Sequence, residues 1–120
     1  MRVSIIGAGA MALAAASYLK LKDVSSLVYV RSEKKLAAWS TKPVRVTGVM
    51  ESSFYVPMAK TMKEAVNYSD TVIICTRAGD YEDVINELLP CLRKGQCILF
   101  LNGCWGAVKT YRLLKEDAKY

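Results

Sequence analysis

A chain of 120 residues with 52% hydrophobic and 23% charged side chains has the size and composition of one globular domain with a buried core. It contains no histidine, which excludes Ser-His-Asp and Cys-His catalysis, and its four cysteines form no C-x-x-C pair, so no metal site is expected. The net charge of +6 is scattered rather than clustered with aromatics, against a nucleic-acid face, and no apolar run reaches the ~18 residues of a membrane span.

The N-terminus enters a strand at once, Val3-Ser4-Ile5-Ile6, and a glycine interrupts the apolar stretch. No signal peptide is expected, and reduced thiols in a cytoplasmic protein are. Gly7-Ala8-Gly9-Ala10-Met11-Ala12 follows, the G-x-G-x-x-A form of the dinucleotide fingerprint. Gly7 permits the tight turn, Gly9 lets backbone approach a pyrophosphate, and Ala12 allows close packing of helix on strand. Ala10 and Met11 are expected to line the pyrophosphate turn through their backbone N–H groups. The helix is expected over residues 10–20, with Ala12, Ala15, Ala16 and Leu19 on the sheet-facing side.

A second strand is expected at residues 27–30. NAD sites place an acid near its end, about 20 residues past the glycines, to hold the ribose 2′-hydroxyl. This chain instead carries Arg31-Ser32-Glu33-Lys34-Lys35. Arg31 and Ser32 read as 2′-phosphate ligands, with Lys34 or Lys35 adding field, so NADP is the expected cofactor and NAD the alternative. Two other readings stay open here. Ser32 caps the helix expected over residues 32–39, or Glu33 serves NAD in a shifted register.

Beyond Pro43, residues 44–49 and 54–56 read as a hairpin around a turn at 51–53. Thr61 and Glu64 form a capping box for a helix over 62–67. Residues 71–76 make a continuous apolar strand. Asp80 is expected to cap a helix that Pro90 stops. A strand at 97–101, a turn at Asn102-Gly103 and a helix from residue 105 complete the chain. Alternating strands and helices give an α/β doubly wound, mostly parallel sheet of Rossmann type, with an inserted hairpin.

Four segments carry a resemblance: Ile5-Ile6-Gly7-Ala8-Gly9-Ala10-Met11, Leu27-Val28-Tyr29-Val30-Arg31, Asp70-Thr71-Val72-Ile73-Ile74-Cys75-Thr76-Arg77-Ala78, and Gly95-Gln96-Cys97-Ile98-Leu99-Phe100-Leu101-Asn102-Gly103. In order and spacing the chain resembles the N-terminal domains of ketopantoate reductases and opine dehydrogenases, in the 6-phosphogluconate-dehydrogenase-like group. The resemblance implies binding of a nicotinamide dinucleotide and hydride transfer to a 2-oxo acid or its imine. It sets Arg77 where ketopantoate reductases carry a lysine and Asn102 at their asparagine, both near substrate. Arg77 keeps the charge but not the ammonium geometry, which argues against ketopantoate itself. Thr76 is expected to donate a hydroxyl hydrogen bond near the nicotinamide ribose. Asn102-Gly103 is also a good turn pair in its own right.

In this family a helical C-terminal domain completes the substrate pocket and supplies the general acid, and these residues do not include it. The expectation is a cofactor-binding domain, residues 1–120, that binds without turnover and meets a 2-oxo acid or amino-acid substrate only with a second domain. The alternative is a stand-alone, non-catalytic dinucleotide-binding or regulatory module. Val108, Tyr111, Leu113 and Leu114 on the final helix are the face expected to support a homodimer.

Overall fold

The structure, a computed structural model, describes residues 1–7, 9–48, 51–101, 108 and 110–112. Strands β1 (Arg2–Ile6), β2 (Ser25–Tyr29), β5 (Met58–Ala59), β6 (Thr71–Ile74) and β7 (Cys97–Phe100) form one sheet in the order β5-β2-β1-β6-β7. Every neighbouring pair in it is parallel. Strands β3 (Val44–Val46) and β4 (Ser52–Phe54) pair antiparallel as a separate hairpin. The expected doubly wound architecture and its hairpin are both present.

Period-two alternation along β1 divides the core. Val3 and Ile5 point to one face, where they join Ala12, Ala16, Val28 and the hairpin's Phe54. Ile6 points to the other, with Val66, Val72, Ile74, Tyr81 and Leu88. Helices α1 (Ala10–Leu21) and α2 (Glu33–Thr41) belong to the first layer, α3 (Met62–Tyr68) and α4 (Tyr81–Leu88) to the second. Ala12 and Ala16 are wholly buried, so α1 lies close on the sheet. Ser4, the small residue between Val3 and Ile5, donates its hydroxyl to the Ala65 carbonyl and ties β1 to α3. Tyr29 crosses the layer, donating to Glu87 Oε1 at 2.8 Å. Desolvation by burial, reinforced by that carboxylate, raises the Tyr29 pKa.

Several boundaries differ from the sequence expectation. Ser52 and Ser53, read as the hairpin's turn, instead lie in β4, because Val46 pairs with Ser52 and Arg45 with Ser53. Strand β5 was not expected from sequence: two residues are too few to show a period, and its pairing to β2 defines it. At α3, the Glu64 N–H donates to Thr61 Oγ1 at 3.1 Å as expected, but the Glu64 carboxylate reaches back to the Lys60 N–H. Asp80 gives α4 no side-chain cap, since it closes a 3-10 turn over Ala78–Asp80 and pairs with Arg77. Helix α4 ends at Leu88, two residues before Pro90, and a further 3-10 turn runs over Leu89–Cys91.

The expected Asn102-Gly103 turn and most of the final helix lie outside the described residues. Residues 108 and 110–112 are helical, with Val108 and Tyr111 exposed. Among the described residues no helix is long and apolar enough to cross a membrane.

Core and edge positions should respond differently to truncation. Leu88, fully buried between α4 and the sheet, should cost about 2–5 kcal/mol as Leu88→Ala. Leu99, 45% exposed on β7, should cost less than about 1 kcal/mol as Leu99→Ala. Urea unfolding of both variants measures the contrast.

Candidate functional site

In an open parallel sheet, ligands sit at the carboxyl ends of the strands where the connection order reverses. Here that point lies between β1 and β6, which pair through Ser4–Val72, Ile5–Ile73 and Ile6–Ile74. A cleft of about 340 Å³ opens there, lined by Gly7, Gly9, Arg31, Ser32, Lys35, Cys75, Thr76, Arg77 and Asp80. Three separate segments, following β1, β2 and β6, therefore meet at one place. Two larger clefts, of about 460 and 510 Å³, lie at the other end of the sheet, around Lys20 and Tyr55 and around Arg2 and Asp70. Volume does not pick the site; position at the strand ends does.

The two fingerprint glycines serve different needs. Gly7 has φ +127°, in the region that side chains rarely adopt. A Cβ on it would also lie 3.2 Å from the Cys75 carbonyl carbon and 3.3 Å from the Thr76 nitrogen. Its own N–H donates to the Tyr29 carbonyl at 3.2 Å, and the Cys75 N–H donates to the Ile6 carbonyl at 2.9 Å. Gly7 is thus where the exits of β1, β2 and β6 converge. Gly9, by contrast, has φ −84°, open to any residue, and a Cβ there would meet nothing within 4 Å. What glycine leaves at this position is space in front of the helix start.

That start is bare. Gly9 caps α1 without a side-chain hydrogen bond, and the first turn holds no acidic residue. Among the described residues no side-chain cap or first-turn carboxylate compensates its N–H groups and the positive end of the helix dipole, the arrangement that receives a phosphate. Ala10 and Met11 occupy this turn with exposed side chains and Ala12 lies beneath it in the core, and none of the three is among the described residues that line the cleft.

On the β2 side, Ser32 Oγ accepts the Lys35 N–H at 3.3 Å, so the capping role is real. The acceptor role leaves the Ser32 hydroxyl hydrogen to donate elsewhere. Arg31, Ser32 and Lys35 border the cleft, whereas Lys34 and Glu33 are not among the described residues that line it.

On the β6 side, Thr76 Oγ1 is buried without a hydrogen-bond partner among the described residues. An orphaned buried hydroxyl is costly, and a ligand acceptor or donor in the cleft would satisfy it. Arg77 is exposed, with Nε 3.5 Å from the Asp80 carboxylate, a surface pair of small energetic weight. Burial pushes the Cys75 thiol up to about 11, which makes it a neutral wall of the cleft and not a nucleophile. Asn102 lies outside the described residues. Cys75 and Asp80 were not expected as cleft residues: one read as a strand thiol, the other as a helix cap. The only sequence signal was their adjacency to Thr76 and Arg77. Among the described residues no group of three or more His, Cys, Asp or Glu side chains could hold a metal ion.

Comparison with known proteins gives a consistent likeness. Residues 3–117 match the family model for ketopantoate reductase PanE/ApbA. A Ralstonia solanacearum MolK2 structure described as a ketopantoate reductase superposes with a TM-score of 0.68 at 25% identity, over 82% of this chain and 30% of that one. Octopine dehydrogenase in a structure with NADH and pyruvate gives 0.67 at 17% identity, over 82% of this chain and 28% of that one. Plasmodium falciparum pyrroline carboxylate reductase with NADP bound gives 0.60 at 12% identity, over 84% and 33%. The two pairs below 25% identity speak for the fold alone. The chain spans about a third of the length of these structures. A search of curated proteins gave no match.

The glycines and the thiol each yield a measurable expectation. Gly7→Ala should destabilise by about 1–3 kcal/mol through its positive φ and the backbone it faces, while Gly9→Ala should cost below about 1 kcal/mol. Thermal unfolding compares them. Because the Cys75 pKa is raised from 9.0 to about 11, its contribution to stability is whole below pH 9 and is lost as pH rises through 11. Iodoacetamide at pH 8 should therefore label exposed Cys97 well before Cys75, as read by peptide mass spectrometry.

Proposed function

The chain belongs to the ketopantoate reductase PanE/ApbA family, and from that premise we propose that it is the NADP(H)-binding domain of an oxidoreductase that transfers hydride to a 2-oxo acid or its imine. One observation carries the cofactor reading. Arg31, Ser32 and Lys35 border the same cleft as Gly7 and Gly9, and no carboxylate follows β2 into it. An acid there would hold a ribose 2′-hydroxyl and repel a 2′-phosphate; a guanidinium, a hydroxyl and an ammonium do the reverse. Relatives in this fold use both forms of the cofactor, as the NADH-bound octopine dehydrogenase and the NADP-bound pyrroline carboxylate reductase show. The side chains after β2 therefore have to discriminate.

The residues present fit such a ligand. The open space before Gly9 and the uncompensated N–H groups of α1 receive the pyrophosphate, and Arg31 with Ser32 grips the 2′-phosphate. Thr76 presents its orphaned hydroxyl towards the nicotinamide ribose. Arg77, released from Asp80, offers a two-pronged contact to a substrate carboxylate, and Asn102 matches in sequence the asparagine that the family carries for the substrate. The nicotinamide, when bound, supplies the hydride. The family's helical domain supplies the general acid, so this domain by itself binds cofactor with little or no turnover.

Fluorescence titration tests the reading. NADPH should bind at least about tenfold more tightly than NADH, and Arg31→Glu should abolish that preference. Gly9→Val should weaken both without unfolding the chain, since its side chain enters the cleft and not the core. Equal affinities for the two cofactors, or tighter NADH, would overturn the assignment to NADP.

A further inference from the structure

The cleft of about 460 Å³ around Lys20 and Tyr55 combines an aromatic wall with polar groups that the fold leaves unused. Ser26, in β2, is 9% exposed and lines it with a hydroxyl that makes no hydrogen bond among the described residues. Its peptide N–H is in the same position. Val28 donates its N–H to the Pro57 carbonyl at 2.8 Å on the β5 side, and amides two apart in a strand point the same way. The Ser26 N–H therefore faces that side too, but β5 pairs only with Val28 and Tyr29 and offers it no acceptor. Buried donors left open are costly unless something that enters the cleft accepts from them.

Two opposite charges stand at the rim. Lys20, in the last turn of α1, has its ammonium 5.1 Å from the centroid of the buried Phe54 ring and makes no ion pair among the described residues. Asp23 has φ +59°, the only positive φ at a non-glycine position among the described residues. It stops α1, with its own N–H on the Lys20 carbonyl at 3.1 Å and the Val24 N–H on the Leu19 carbonyl at 2.8 Å. Glycine or asparagine is the usual residue at such a stop, and a carboxylate there opposes the negative end of the helix dipole. Helix formation therefore does not account for the charge of Asp23.

We propose that this cleft is a second small-molecule site, one that takes a zwitterionic amino acid with an aromatic side chain. The ligand carboxylate accepts from Ser26 and meets the Lys20 ammonium, its own ammonium meets Asp23, and its ring lies among Phe54, Tyr55 and Tyr68. An acid without an amine would leave Asp23 facing no cation, and an amine without an acid would do the same to Lys20, so the paired charges select the zwitterion over either. None of these residues borders the cleft of Gly7 and Arg31, so the proposal is independent of the NADP(H) reading.

Calorimetric titration of the whole chain with L-phenylalanine, 3-phenylpropionate and phenethylamine separates the contacts. L-phenylalanine should bind at least about tenfold more tightly than either analogue. Lys20→Met should erase its advantage over phenethylamine, and Asp23→Asn its advantage over 3-phenylpropionate, each leaving the other ratio within about twofold. Both changes are at exposed side chains, and asparagine suits the left-handed turn, so neither should unfold the chain. Saturating NADPH should leave phenylalanine binding as it is. Equal affinities for the three compounds, or no binding of L-phenylalanine up to about 10 mM, would overturn the site. Loss of phenylalanine binding in the presence of NADPH or in Arg77→Ala would place the amino acid in the nucleotide cleft and overturn it as well.

Discussion

The structure turns on the closeness of Gly7 to the backbone at Cys75 and Thr76. With no Cβ between them, the end of β1 lies directly against the end of β6, and the Cys75 N–H reaches the Ile6 carbonyl. The same glycine holds the end of β2 through the Tyr29 carbonyl. Three strand ends are thereby gathered within one residue's reach. Everything that lines the cleft follows from this: Gly9 and α1 leave from β1, Arg31 and α2 from β2, Thr76 and Arg77 from β6. A side chain at position 7 would push these segments apart at their common point.

The two layers hold that point from either side. On one, Ala12 and Ala16 let α1 settle on the sheet, which sets the height of its bare N-terminus above the cleft. On the other, Ser4 ties β1 to α3 and Tyr29 ties β2 to α4. Tyr81, at the start of α4, is wholly buried and meets Phe100 edge to face, with 5.0 Å between ring centroids. The helix that follows Arg77 is thus anchored to β7 while Arg77 stays at the surface. The cleft has a packed floor and cations at its rim, a suitable division for gripping a polyanion.

Much of this was legible in the sequence because the signals were local. The fingerprint, the apolar runs and the arginine after β2 each lie within a few residues, and the chain order of strands and helices gives the sheet. What the sequence withheld was pairing. Ser52 and Ser53 look like turn residues by type, yet the partners Val46 and Arg45 make them strand. Met58–Ala59 is a strand only because β2 lies beside it. Asp80 has the right chemistry for a cap, but the 3-10 turn before α4 gives its carboxylate to Arg77. The difference between Lys34 and Lys35 is likewise a matter of helix phase against a wall that sequence alone does not draw.

The contact at Gly7 also carries a consequence for timing. Ser4 and Val72 are register partners although they stand 68 positions apart in the chain. Closing so long a loop costs more entropy than joining β1 to β2 and comes late in any route that forms near contacts first. The fingerprint is therefore the first part of the site to be synthesised and among the last to be completed. Until residues 75 and 76 arrive, Gly7 faces no wall, and a nascent chain carrying the whole motif has nothing with which to recognise a nucleotide.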